Sequence, residues 1–182
     1  SYWYRFICGD AVSTVGRTQT SPAPEADVQR LRLALASCQN YEHGLYIAHR
    51  DMARQDLDLV LFVGDYIYET SAPNRPRKHA TREPMTLDEY RWRYAQVKSD
   101  ALLQKAHHAA PWVLTWDDHE VDNNYANLVG ENEWESEEQM HQRRAAAYQA
   151  WWEHQPVRVT RAKSWADLTI RRRLEWGRMA TF

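Results

Sequence analysis

A carboxylate and a phenol stand three residues apart at Asp65 and Tyr68, directly after an apolar run of the chain. That run, residues 57–63, is rich in valine and leucine, is interrupted only by Asp58, and stops at Gly64. Such a short run is typical of a strand that is buried on both faces. Because open α/β sheets hold their ligand sites at the C-terminal ends of central strands, Asp65 anchors the candidate site.

Two other apolar runs end in the same abrupt change to polar residues. Residues 31–36 lead to Cys38, and residues 111–116 lead to Asp118 and His119. The segment between the first two runs has helical spacing, which predicts a parallel βαβ unit whose strands end at one edge of the sheet. Thiol, carboxylate, phenol and imidazole groups are therefore expected to meet there, and together they form a set of metal ligands.

Each of these residues has an ordinary structural interpretation when it is taken alone. Cys38 could be a small buried hydrophobe, and Tyr68 a core phenol with one hydrogen bond. Asp118 could be a helix cap and His119 a structural histidine. The joint arrangement weakens these interpretations, because clustered acids at a shared edge repel one another unless cations neutralise them.

Capping residues mark the helices that position these strands. The sequences T-L-D-E at residues 86–89 and S-E-E-Q at residues 136–139 are capping boxes. They predict helices that continue to about Val97 and that end at Pro156. Asp100 caps a further predicted helix between the first of these and the third core strand.

Both ends of the chain differ from this α/β pattern. Residues 2–8 predict an edge strand, residues 9–27 a linker-like loop, and residues 168–182 a strand or hairpin at an exposed sheet edge. We therefore expect a domain boundary in the loop of residues 9–27, so that residues 1–27 precede the domain of residues 28–182 that carries the candidate site.

Composition argues against several classes of function. The net charge of −2 gives no electrostatic basis for nucleic-acid binding. No apolar stretch approaches the ~20 residues that span a bilayer, and no signal peptide is recognisable at the N-terminus. Two cysteines, Cys8 and Cys38, are too few for a disulfide scaffold.

The motifs resemble those of the metallophosphoesterases. G-D-Y-I-Y at residues 64–68 resembles their second block, in the variant where a tyrosine binds ferric iron as in purple acid phosphatases. W-D-D-H-E at residues 116–120 is similar to their third block, G-N-H-E, with Asp118 in place of the asparagine. A-S-C-Q at residues 36–39, followed by Y-E-x-G, resembles more narrowly the PhoD-type alkaline phosphatases and phosphodiesterases, in which a cysteine replaces the first block's D-x-H.

This resemblance implies a fold and an activity. The fold is an αββα sandwich of the metallophosphoesterase type, of which residues 28–182 would form only the first half. Residues 1–27 would be the last strand and linker of an N-terminal β domain. The activity is hydrolysis of phosphate monoesters and diesters by a metal-activated water at a centre of Fe³⁺ and Ca²⁺. The family resemblance also implies a periplasmic or secreted protein.

The resemblance assigns metal ligands residue by residue. It implies that Cys38, Asp65 and Tyr68 bind iron, with Asp65 shared by the second metal. A hard trivalent ion suits phenolate and carboxylate ligands.

The second metal and the substrate would be held by the third block. Calcium suits carboxylate and amide oxygens, so Asp118 and one of Asn123 and Asn124 are the implied ligands. His119 matches the histidine that assists at the phosphate. Because it follows Asp118 directly, we expect the two side chains to diverge, with His119 facing the substrate.

Part of the family pattern is absent from this sequence. The family's later blocks supply further Asp and His ligands, including a His-x-His pair, and this chain contains no His-x-His. Two hypotheses follow, a phosphoesterase fragment that awaits its second half and a non-catalytic, truncated or degenerate metal-binding domain. A nuclease-like acidic site is a weaker third, disfavoured by Cys38 and Tyr68. We expect the isolated chain to be a poor phosphatase with uncovered apolar surface near Trp112, Trp151 and Trp152.

Overall fold

A computed structural model describes residues 1–132 and 134–182 as a mixed α/β structure. The strands are β1 (Tyr2–Tyr4), β2 (Ile7–Cys8), β3 (Ala11–Val12), β4 (Gly16–Thr18), β5 (Leu33–Ala36), β6 (Leu59–Val63), β7 (Trp112–Thr115), β8 (Glu175–Trp176) and β9 (Ala180–Thr181). The helices are α1 (Ile47–Met52), α2 (Leu87–Lys98), α3 (Ala101–Ala109) and α4 (Glu137–His154), with 3-10 turns at Tyr41–His43 and Trp165–Asp167. The predicted α/β class is confirmed.

The three predicted core strands form one parallel sheet with the order β5-β6-β7. Ala34 lies beside Val60, and Phe62 lies beside Leu114. The strand that precedes Asp65 is therefore central, as predicted, and α1 makes the crossover between β5 and β6. All three strands end at the same edge, which brings their following loops together.

Both predicted capping boxes are present at helix N-termini. The Thr86 side chain accepts from the Glu89 backbone, and the Glu89 side chain accepts from the Thr86 backbone. Ser136 and Gln139 make the same reciprocal pair at the start of α4. Asp100 caps α3 by accepting from two backbone N–H groups. These caps satisfy N–H groups that have no partner within a helix, and so they fix where each helix begins.

The helices cover one face of the sheet and leave much of the other face open. On the covered face, Val60, Phe62 and Leu114 are at most 1 % exposed. On the open face, Leu35 is 66 % and Val63 is 46 % exposed. The expectation of exposed surface around the tryptophans is wrong for two of them, because Trp112 is 6 % and Trp151 is 0 % exposed. Helix packing buries both, and the uncovered apolar surface lies on the sheet instead.

The N-terminal segment is more regular than the sequence predicts. The stretch 9–27 is not only a loop, because it contains β3 and β4, which pair with β2 and β1 as antiparallel ribbons. Gly16 permits one of these pairings, since an added Cβ would lie 2.5 Å from the Tyr4 ring. The Arg17 guanidinium donates to the carbonyls of Leu57 and Ala109, and thereby joins β4 to the base of the α/β sheet.

The C-terminal segment is less regular than predicted. Only β8 and β9 form a hairpin, with Gly177 at φ +54° in its turn, and residues 168–174 form no strand. Arg172 instead donates to the carbonyl of Leu114 and lies across the edge of β7. None of the described helices is long and apolar enough to cross a bilayer.

Candidate metal centre

Tight turns follow β5 and β6 and aim their side chains at one place. Cys38 and Asp65 each have φ +56°, a left-handed conformation that costs a non-glycine residue about 1–3 kcal/mol. The two turns are joined by backbone hydrogen bonds, from Cys38 N–H to the Gly64 carbonyl at 3.2 Å and from Gln39 N–H to the Asp65 carbonyl at 3.1 Å. Gly64 at φ +102° allows the third strand end to approach, because an added Cβ would lie 2.5 Å from that of Asp117.

Three predicted ligands, Cys38, Tyr68 and Asp118, lie around Asp65 together with His119, the predicted catalytic residue. The Tyr68 hydroxyl donates to Asp65 Oδ2 at 3.0 Å, and the Cys38 thiol is near enough to lower the pKa of the Asp65 carboxyl. Ligand atoms of Asp65, Asp118 and His119 lie within 4.8 Å of one another. Asp65 is 7 % exposed, and its Oδ1 is buried without a hydrogen-bond partner. A buried carboxylate oxygen without a partner, set among other acidic groups, fits a position where a cation binds.

The electrostatics of these groups point the same way. Burial raises the pKa of the Asp65 carboxyl, although hydrogen bonds from Cys38 and Tyr68 oppose the rise. Burial raises the pKa of Tyr68 well above its usual range, and the nearby Asp65 and Cys38 add to this shift. At both groups burial outweighs the nearby positive charge, which at Asp65 includes the His119 imidazolium, so the anionic forms need further positive charge. A bound cation would supply that charge and favour the phenolate.

His119 is held by a carboxylate that the sequence did not single out. Its Nδ1 lies 2.8 Å from Glu69 Oε2, and Glu69 is fully buried. The other oxygen of Glu69 accepts from the Asn123 backbone at 3.0 Å. Burial alone would lower the pKa of His119, but Glu69, Asp65 and Asp118 outweigh it and raise the pKa to about 9. Glu69 follows Tyr68 in the polar stretch after β6, and that adjacency was the available clue.

A titration of His119 in the metal-free chain tests this pair. We expect Glu69→Gln to lower the pKa of His119 by at least one unit, because the amide keeps a similar shape but loses the negative charge. In the parent chain, the protonated imidazole stabilises the fold fully below pH 6.5, and this contribution is lost as the pH rises through about 9. Nuclear magnetic resonance of the ring protons measures both values. An unchanged His119 titration in Glu69→Gln, with His154 as the internal control, would show that Glu69 does not set it.

The expected divergence of Asp118 and His119 is wrong. The backbone turns helically after β7, with the N–H groups of Val121 and Asp122 both donating to the Asp118 carbonyl. On this tight turn the two side chains converge on Asp65 instead of pointing apart. His119 could therefore reach a metal or a phosphate, and its role on the substrate stays a prediction.

The two asparagines predicted as alternative ligands lie at the rim of this cluster. The Asn124 backbone N–H donates to Asp118 Oδ2 at 2.5 Å, and Asn124 has φ +54°. The Asn123 side chain instead donates to Glu131 at 2.5 Å. Both stay predicted ligands, and the contacts among the described residues link only Asn124 directly to a predicted ligand carboxylate.

A second acidic group lies beside the first. Glu69, Asp122 and Glu131 place carboxylate oxygens within 4.8 Å of one another. Asp122 accepts from the Glu131 backbone at 2.7 Å and lies 3.1 Å from the buried guanidinium of Arg143. Asp122 is paired with Arg143, and Glu69 is paired with His119 and the Asn123 backbone. This group is therefore largely neutralised within the chain, and it supports the loop that carries Asn123.

Both cysteines are free thiols in the structure. Cys8 lies exposed in β2, and Cys38 lies at the end of β5 beside Asp65. Cys38 is therefore not paired in a disulfide in the structure, and its role as a metal ligand stays a prediction.

The chain is similar to known proteins of one phosphatase family. The family model described as PhoD-like phosphatase matches residues 33–182. The chain is 49 % identical over 187 residues to alkaline phosphatase D of Bacillus subtilis (strain 168), an alignment that covers 100 % of this chain and 32 % of that protein. A solved structure described as "Structure of PhoD" has 48 % identity and a TM-score of 0.93, and the match covers 99 % of this chain and 35 % of that chain.

The chain therefore spans about a third of the length of these two relatives. The family model nevertheless covers most of this chain, including the strand ends that carry Cys38, Asp65 and His119. The chain belongs to the PhoD-like phosphatase family.

Proposed function

We propose that this chain carries one part of the active site of a metal-dependent phosphate-ester hydrolase. The observation that supports this most is the convergence of Cys38, Tyr68, Asp118 and His119 on the buried Asp65, whose Oδ1 has no partner. The function of an alkaline phosphatase or phosphodiesterase follows from membership of the family. Hydrolysis of phosphate monoesters and diesters is the proposed reaction.

The donor set suits the proposed pair of Fe³⁺ and Ca²⁺. Thiolate, carboxylate and phenolate from Cys38, Asp65 and Tyr68 suit iron, and the oxygens of Asp65 and Asp118 suit calcium. Asn123 or Asn124 is the proposed further calcium ligand. When bound, the two metals supply a water of lowered pKa and positive charge for the phosphate oxygens.

Glu69 would then orient His119, and His119 would supply positive charge and a proton to the substrate. Glu69 accepts at Nδ1 of His119, so the other ring nitrogen, Nε2, is left to face the site. In its protonated form, which a pKa of about 9 maintains at neutral pH, His119 can stabilise negative charge on the phosphate. It can also donate its Nε2 proton to the oxygen of the leaving alcohol.

The uncovered sheet face supports the sandwich form of the fold. Parallel sheets are almost always covered on both faces, yet Leu33, Leu35 and Val63 are 40 %, 66 % and 46 % exposed. We propose that a second sheet packs there, as in an αββα sandwich, and that its loops complete the metal ligands. If a second sheet supplies the remaining ligands, the chain taken alone is better described by the alternative hypothesis, a metal-binding domain without efficient turnover.

A chimeric phosphatase separates these possibilities. It consists of this chain in place of the matching third of the Bacillus subtilis relative, a replacement that 49 % identity and a TM-score of 0.93 for a solved structure of the family make reasonable. We propose that the chimeric phosphatase hydrolyses phosphate esters and that the 182-residue chain does so poorly. On the basis of its family, the proposed location of such a protein is the periplasm or the outside of the cell.

Cys38→Ser in the chimeric phosphatase is expected to lower iron content strongly, because a hydroxyl is a far weaker ligand than a thiolate. Cys8→Ser is the matched control, since Cys8 lies exposed in β2 and is free. Elemental analysis by mass spectrometry measures the iron content of both variants. Equal iron content in the two variants would remove Cys38 from the ligand set.

Tyr68→Phe tests the iron site by its colour. A phenolate bound to ferric iron gives a visible charge-transfer absorption, so this variant of the iron-loaded chimeric phosphatase is expected to lose that band. Tyr66→Phe is the control, because the Tyr66 hydroxyl lies 2.7 Å from His107 Nε2 in the buried core. A band that persists in Tyr68→Phe would show that another residue binds the iron or that no tyrosine does.

A further inference from the structure

Glu120 is a buried carboxylate that joins two of the strand ends. It is 1 % exposed and follows His119 in the turn after β7. Its Oε2 accepts from the backbone N–H of Asp65 at 3.0 Å and from that of Asp117 at 2.8 Å. Its Oε1 accepts from the Tyr66 N–H at 2.5 Å. One side chain therefore satisfies three backbone donors, two from the loop after β6 and one from the loop after β7.

These three amides belong to the residues that hold the metal-binding side chains in place. Asp65 has a left-handed backbone, and a strained conformation persists only where surrounding contacts enforce it. Asp117 precedes Asp118 and lies against Gly64 at a distance that leaves no room for a Cβ. The bonds to Glu120 join the turn that carries Asp65 to the turn that carries Asp118.

We propose that Glu120 is a positioning residue, which sets the spacing of the Asp65 and Asp118 carboxylates and so the cation affinity of the site. It binds no metal itself in this proposal, because both of its oxygens face backbone N–H groups. The inference rests on the proposed metal-dependent function and deepens it.

The chemistry of the side chain explains why a carboxylate is needed. Burial raises the pKa of Glu120 to about 8, and the three backbone hydrogen bonds oppose that rise. The ionised form accepts at both oxygens, which matches three N–H donors and no acceptor. Glutamine has the same shape, but its NH₂ group must face at least one backbone N–H, because donors occupy both positions. Either Tyr66 or the pair Asp65 and Asp117 then loses its partner inside a buried site.

The test compares Glu120→Gln with Glu42→Gln in the 182-residue chain, using Ca²⁺ and Fe³⁺ themselves as probes. Glu42 is a matched control, because it is 2 % exposed and accepts from the backbone of Ala72 and His79 with one oxygen each. Glu120→Gln is expected to weaken cation affinity about 10–100-fold in a chelator competition. Glu42→Gln is expected to lower the melting temperature and leave that affinity unchanged.

The outcomes separate this inference from the proposed function. If the parent chain binds the cations and Glu120→Gln binds them within twofold of the parent, the positioning role is wrong and the proposed function stands. If the parent chain binds neither cation, the positioning role is wrong for this chain, and the chimeric phosphatase, which has the remaining ligands, decides the proposed function separately. Should Glu120→Gln not fold, hydrogen exchange of the parent decides. Slow exchange at the Asp65, Tyr66 and Asp117 amides supports the positioning role of Glu120. Exchange as fast as at exposed loops overturns that role.

Discussion

Replacing His119 with alanine in the chimeric phosphatase is expected to reduce turnover roughly 10²–10⁴-fold while metal content stays near that of the parent. The imidazole is held at Nδ1 by Glu69, and its pKa of about 9 keeps it protonated at neutral pH. Removing it takes away a proton donor and a positive charge at the phosphate. Steady-state hydrolysis of a chromogenic phosphodiester, with elemental analysis of the same samples, measures both quantities.

The convergence of His119 with Asp65 and Asp118 makes the metal measurement decisive. Loss of metal in parallel with activity would identify His119 as a ligand. His154→Ala is a suitable control, because His154 stacks on Tyr94 at the C-terminal end of α4 and bonds to the Ala150 carbonyl. It is expected to change stability more than turnover.

Arg143→Met is expected to lower the free energy of unfolding of the chain by about 3–5 kcal/mol, because it breaks a buried ion cluster and leaves its acids unpaired. The guanidinium, whose side chain is 0 % exposed, contacts Glu83 at 2.6 Å, Glu135 at 2.8 Å and Asp122 at 3.1 Å. Urea denaturation measures the change. The loss is expected to shrink at lower pH, since the freed carboxyls can then protonate.

Arg91→Met is the matched control for that prediction. Arg91 also pairs with two acids, Asp88 and Glu153, but on the surface of the molecule. Exposed pairs contribute little, so its effect is expected to be much smaller. If the two variants lose similar stability, the buried cluster around Arg143 does not hold the loop of Asp122 as we infer.

The strands and helix starts were predictable because their patterns are local. The apolar run before Gly64 and the capping boxes at Thr86 and Ser136 each require only neighbouring residues. The parallel order then followed from the βαβ spacing. Asp65 and Cys38 closely follow these strands, which is why the sequence was sufficient to select them as candidate site residues.

The residues that the sequence missed act over long sequence distances. Glu69 and Glu120 are buried because of partners 50 to 55 residues away, such as His119 and the backbone of Asp65. No local pattern distinguishes Glu69 from a surface glutamate, and the W-D-D-H-E block contains Glu120 but does not show its backbone partners. The strands of residues 11–18 were missed for a related reason, since ribbons of two or three residues carry too little alternation to recognise.

The rate at which the chimeric phosphatase hydrolyses a chromogenic phosphodiester, compared with its Asp65→Asn variant, tests the central claim most directly. Asp65 is the point on which Cys38, Tyr68 and Asp118 converge, and an amide there removes the charge that the cations need. We predict that the parent chimeric phosphatase hydrolyses the ester, that chelation abolishes this activity, and that iron with calcium restores it. The Asp65→Asn variant is not expected to regain activity with the same metals. A folded Asp65→Asn variant that hydrolyses the ester at the parent's rate would contradict the claim.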